Sequence, residues 1–102
     1  MFKVKLANRG NPDFAQDGLR PLPGTPRDEF VAVANWAQAS NACRAYIAQH
    51  ELGGGNWTGG LIVDAATGHP VAFVSYNGRV WTHSDSRPSQ CLFSPFAPDE
   101  FV

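Results

Sequence analysis

Four side chains suited to molecular recognition, Tyr76, Arg79, Trp81 and His83, fall within a stretch of eight residues. Tyr and Trp offer π faces, and Arg both stacks and forks hydrogen bonds. That combination recurs where proteins hold single-stranded nucleic acid or a peptide. Trp57 stands between Gly53-Gly54-Gly55 and Gly59-Gly60. Glycines let a backbone approach a ligand closely and a Trp makes a strong anchor, so Trp57 joins the candidate set. The expected ligand is a nucleic acid, a peptide or a small molecule. A plainer alternative stands beside this one. Aromatic and cationic neighbours across a hairpin stabilise it by ~0.2–1 kcal/mol per pair, and Trp57 could plug the end of a core after a helix.

Catalytic and metal chemistry have less to stand on. His50, His69 and His83 include no H-x3-H pair and the cysteines no C-x2-C pair, so no metal and no cofactor is expected. Glu51, Arg79 and His83 would suit phosphodiester cleavage as base, charge stabiliser and acid. Nothing in the spacing sets Glu51 beside His83. Cys43 falls on the buried face of a helical pattern, where a thiol is not an activated nucleophile. The three glycines at 53–55 follow that helix rather than precede one, so they make no phosphate cradle. The first reading is therefore a non-enzymatic binding module. A small ribonuclease-like hydrolase is the second, and a structural or oligomer-forming protein the third.

The elements that must position these residues centre on Asn77-Gly78, the strongest short hairpin signal. It predicts strands over Val71–Tyr76 and Arg79–His83 joined by a two-residue type I′ turn with φ > 0 at both turn residues. That turn pairs Tyr76 with Arg79, Val74 with Trp81 and Ala72 with His83 on one face. It pairs Ser75 with Val80 and Phe73 with Thr82 on the other. The face of Val71, Phe73 and Val80 is expected against a helix, leaving Tyr76, Arg79, Trp81 and His83 wet. The reverse is also open, because Ala72, Val74 and Trp81 would make a core.

Elsewhere, Phe2-Lys-Val-Lys-Leu6 alternates apolar and charged, a half-buried strand whose lysines suit a sheet edge. Residues 8–28 hold four prolines and read as an irregular loop that Phe14, Leu19 and Leu22 could pin. Glu29–Ala34 is a second strand and Asn35 an N-cap. From Trp36, the spacing of Ala39, Cys43, Tyr46, Ile47 and His50 predicts a helix that ends at the glycines, one of them in the left-handed C′ position. Leu61–Val63 is a further strand. Residues 84–102 read as an irregular tail, part of which folds back through Leu92, Phe93, Phe96 or Phe101. The sum is one domain over 1–102, of α+β class, with one helix on a mostly antiparallel sheet of four to five strands. A second copy could pair with the first strand or the aromatic tail.

The net charge of −1 gives no general attraction to nucleic acid or anionic membrane, although residues 1–27 carry five cations against two carboxylates. Two cysteines make no disulfide scaffold. No apolar run approaches the ~20 residues of a membrane span, and the first residues do not pattern as a signal peptide. The expectation is a cytoplasmic protein without membrane contact.

Three segments carry a resemblance: Ala39-Ser-Asn-Ala-Cys-Arg-Ala-Tyr-Ile47, Gly55-Asn-Trp-Thr-Gly-Gly60 and Ser75-Tyr-Asn-Gly-Arg-Val-Trp81. The chain there resembles small uncharacterised bacterial proteins of accessory or mobile DNA, over less than half its length. The resemblance implies a stand-alone bacterial domain in an accessory role and transfers no catalytic residue.

Overall fold

A computed structural model describes residues 1–12, 16, 18–22, 24–25, 27–83 and 90–96. Along the chain run β1 (Phe2–Leu6), β2 (Glu29–Val33), α1 (Trp36–Gln49), β3 (Leu61–Asp64), β4 (Pro70–Val74), β5 (Val80–Thr82) and β6 (Cys91–Phe93). The strands form one six-stranded sheet in the order β2-β1-β3-β4-β5-β6, antiparallel at every pairing. The α+β class with a single helix on an antiparallel sheet is as expected. The sixth strand, β6, comes from the stretch expected to be irregular. Its Phe93 packs against the core while Leu92 stays 37% exposed. Phe101 lies outside the described residues.

The helix forms where its sequence pattern predicts. Asn35 Oδ1 accepts from Gln38 N at 2.9 Å, satisfying one of the free N–H groups of the first turn. Ala39, Ser40, Cys43 and Tyr46 then face the sheet and are buried. They meet Val4, Ile62, Ala72, Val74 and Val80, each at most 1% exposed. Phe2 stacks on Trp36 at 4.9 Å between ring centroids, closing one end of the core.

Four details depart from the sequence pattern. First, β1 is an inner strand between β2 and β3. Lys3 and Lys5 reach solvent by pointing off the sheet face away from α1, not by standing at an edge. An inner strand has no free backbone to offer a second copy. Second, Leu19 does not pin its loop, being 89% exposed; Leu22 does pack against the core, and Phe14 lies outside the described residues. Third, the helix ends before the glycines. Glu51 itself takes the left-handed conformation at φ 52°. Leu52 N–H donates to Ile47 O at 3.0 Å and Glu51 N–H to Ala48 O at 3.3 Å, the bonding of a Schellman cap, and Leu52 is buried.

Fourth, the hairpin turn has three residues. Val74 pairs with Val80, Phe73 with Trp81 and Ala72 with Thr82. Ser75 N–H donates to Arg79 O at 2.9 Å, and Gly78 N–H donates to Ser75 O at 2.9 Å. Only Gly78 of the turn has positive φ, at 90°; Asn77 does not. This is the type I turn followed by a left-handed glycine, the next commonest hairpin after the two-residue form. Ser40 holds the turn in this form. Its buried hydroxyl donates to Gly78 O at 2.6 Å and clamps the turn onto α1. Val80 lies on the helix side and Trp81 off it, as expected, but the one-residue difference sets Ala72 and Val74 with Val80 on the helix side and carries Phe73 across to the side of Trp81.

Two substitutions test these left-handed positions with opposite signs. Glu51→Gly relieves a Cβ clash and is expected to raise stability by about 0.5–1 kcal/mol. Gly78→Ala is expected to lower it by about 1–2 kcal/mol, because alanine adds the positive-φ penalty and a Cβ 2.6 Å from Arg44 Cδ. Urea denaturation of both variants checks the pair; equal effects of one sign contradict it.

Candidate functional site

The face of the sheet turned away from α1 is assembled by strand alternation. Each buried strand residue on the helix side leaves its neighbours on the other. Lys5 lies opposite Phe30, Leu61 opposite Phe73, and Phe73 opposite Trp81. Val4 pairs with Ile62, so Lys5 also stands opposite Leu61. One transverse row therefore runs Phe30, Lys5, Leu61, Phe73, Trp81 across five strands. Ala32, Lys3 and Val63 form a second row beside it. Phe30 is 47% exposed, and Leu61, Phe73 and Trp81 are half-buried.

Charge segregates across the sheet. The cations of the strands and of the β4–β5 turn, Lys3, Lys5 and Arg79, lie on this side, which is uncovered in that no described helix or strand packs on it. Glu29 pairs with Leu6 and Asp64 with Phe2, which puts both strand carboxylates on the helix side. Arg79 carries the Phe96 ring 4.8 Å from its guanidinium carbon, so the chain after β6 adds another ring here. Trp81 Nε1 donates to Ser75 Oγ at 3.2 Å, and Ser75 Oγ donates to Asn77 Oδ1 at 2.6 Å. The indole is thus held by the turn that sets its register.

The five candidate residues separate. Arg79 and Trp81 share the uncovered face, and half-buried His83 follows two residues beyond Trp81 just past β5. Tyr76 goes to the helix side, where its hydroxyl donates to Leu52 O at 2.8 Å and ties the turn to the end of α1. Trp57 also sits there; its Nε1 donates to Val74 O at 3.2 Å and its ring lies 6.0 Å from that of Tyr46. Glu51 stands in the cap of α1, so the sheet alternation does not gather it with Arg79 and His83. Burial pushes the Cys43 thiol up to about 12, far from a reactive thiolate.

Three features escaped the sequence reading. The sequence pattern places Phe73 in the core; the register turns it outward beside Trp81. A cleft of about 370 Å³ opens between α1 and β2, lined by Leu6, Glu29, Val31, Tyr46, Gln49 and His50. Only the pairing of Glu29 with Leu6 would have pointed to it. A buried polar clasp joins loop, helix and glycine segment. Asn8 is fully buried, its Nδ2 donates to Tyr46 Oη at 2.8 Å, and its Oδ1 accepts from Leu22 N at 2.7 Å. Asn56 Nδ2 donates to Arg9 O at 2.9 Å and to Gln16 Oε1 at 3.0 Å. Beside the clasp, Arg9 grips Asp28 with two bonds of 2.9 and 2.8 Å, and these hydrogen bonds hold the Asp28 carboxyl below its ordinary range. Among the described residues no group of three or more His, Cys, Asp or Glu side chains is placed to hold a metal ion.

The chain matches no protein-family model, no curated protein and no solved structure.

Asn8→Ala is expected to cost about 2–4 kcal/mol, because it strands the buried Tyr46 hydroxyl and the part-buried Leu22 N–H. A calorimetric melt indistinguishable from wild type contradicts this role. Asp28→Asn gives a smaller, pH-dependent effect. A carboxyl whose folded pKa is lowered stabilises the fold above its ordinary range and loses that contribution as pH falls through the lowered value. The variant should melt below wild type near neutrality, modestly because the pair is partly exposed. The gap should close on acidification; a gap that persists in acid contradicts the ion pair as its source.

Proposed function

We propose that this protein is a non-enzymatic binding module that holds its ligand on the uncovered sheet face around Arg79 and Trp81. The observation that carries this reading is the segregation just described. One helix covers one side of six strands, and the other side combines half-buried aromatic rings with cations. Rings and cations left together in partial contact with water are recognition chemistry; a core would exclude the cations. The hydrogen bond from Trp81 to Ser75 supports it further, since a held ring loses less entropy on binding than a free one. Glu51 stands in the cap of α1 and not on the face of Arg79 and Trp81, which favours binding over phosphodiester cleavage. In this reading the protein is a bacterial accessory factor, as its resemblance implies, and acts in the cytoplasm. Tyr76 and Trp57 support the site by fixing the turn and the core end beneath it.

The reading is tested by amide and indole NMR shifts with three probes: oligothymidylate, poly-glutamate and benzoate. At least one should shift Lys5, Phe73 and Trp81 while Ala39 and Cys43 stay still. Trp81→Ala should weaken that binding by about tenfold or more with the fold retained. Shifts confined to the cleft of Glu29 and His50, or full binding by the variant, would overturn it.

A further inference from the structure

We infer that the uncovered sheet face takes a single-stranded nucleic acid, laid across the strands from β2 to β5. This rests on the binding-face reading above and names its ligand class.

Charge decides the sign of the ligand. Lys3, Lys5 and Arg79 face outward, and the strand carboxylates Glu29 and Asp64 face the helix side. Lys5 also feels the Asp28 carboxylate, which Arg9 already holds. A chain of net charge −1 thus keeps a local cationic face, and the complement to it is anionic. The same charges argue against a second copy. Two such faces in contact would gather their like charges into one interface.

The rings decide the kind of anion. Phe30, Phe73, Trp81 and Phe96 lie on or against the cationic face. Unstacked bases lie on aromatic side chains while a cationic surface tracks their backbone. Phosphate or acidic side chains alone would leave the rings unused. The row from Phe30 to Trp81 crosses four strand spacings, about 19 Å at ~4.8 Å each. That is wider than the ~12 Å major groove of a duplex, and base pairs in a duplex keep their π faces to themselves. A single strand of about four nucleotides suits it, at the short end of stacking sites.

The test is fluorescence anisotropy of a labelled oligothymidylate of about 12 nucleotides, its duplex, and poly-glutamate of similar charge. The single strand should bind, with log K falling against log salt at a slope of about −2, from three phosphates at ~0.7 each. Lys3→Gln with Lys5→Gln should remove about two-thirds of that slope. Trp81→Ala should lose about tenfold in affinity, and Trp81→Phe should keep most of it because a π face remains. The Trp81→Phe and lysine variants preserve the test if Trp81→Ala folds poorly. Equal binding of duplex, or a slope near zero, overturns the inference. NMR shifts on this face with poly-glutamate or benzoate but not with the single strand overturn it while leaving the binding-face reading intact. No response to any probe, or a dimer by light scattering that Trp81→Ala dissolves, overturns both.

Discussion

One helix cannot cover both faces of a six-stranded sheet, and everything else in this protein follows from that limit. Helix α1 spends its buried stripe of Ala39, Ser40, Cys43 and Tyr46 on the side of Val4, Ile62, Ala72, Val74 and Val80. The opposite side gains no layer from the described elements beyond Phe96 on Arg79. Its residues settle half-buried against one another rather than enclosed. Lysines can live there because their ammonium groups still reach water. The same openness lets Phe73 and Trp81 meet something other than the protein.

Which residues occupy that open side depends on the register of the β4–β5 turn. Ser40 Oγ and Gly78 O, 2.6 Å apart in a buried place, pull the β4–β5 turn down onto the helix. The turn closes with three residues, and glycine at φ 90° absorbs the left-handed step. Had it closed with two, Trp81 would share a side with Val74 rather than with Phe73. Tyr76 then acts as a second tie, bonding the turn to Leu52 at the end of the same helix. A residue that looked like part of a recognition surface holds that surface in place.

Much of this was legible in the chain. The alternation in Phe2–Leu6, the N-cap at Asn35 and the helical spacing of Ala39, Cys43 and Tyr46 rest on periods of two and 3.6 residues, which local sequence displays directly. The hairpin was legible as a turn but not in its register. Asn-Gly serves both turn forms, and the form that is present is tied to Ser40, thirty-eight positions away. Strand order was equally hidden. Lysines on alternate positions suit an edge strand and also the open face of an inner one, and only the pairing of β1 with both β2 and β3 separates these. The Asn8 clasp joins segments 14 and 38 residues apart and leaves no periodic trace. Arg79 and Trp81 are legible as a pair because they stand two apart in the chain, one closing the turn and one in β5; Phe73 is not, because the register carries it across.

The central claim is that Phe73 and Trp81 stand on the uncovered face with Lys5, and Val80 stands beneath the helix. Solvent paramagnetic relaxation with a neutral gadolinium chelate measures this directly in the unliganded protein. The account predicts strong broadening of the Trp81 indole and the Phe73 and Phe30 rings, with Val80, Val74 and Ala72 methyls protected. Broadened Val80 methyls with a protected Trp81 indole would contradict it.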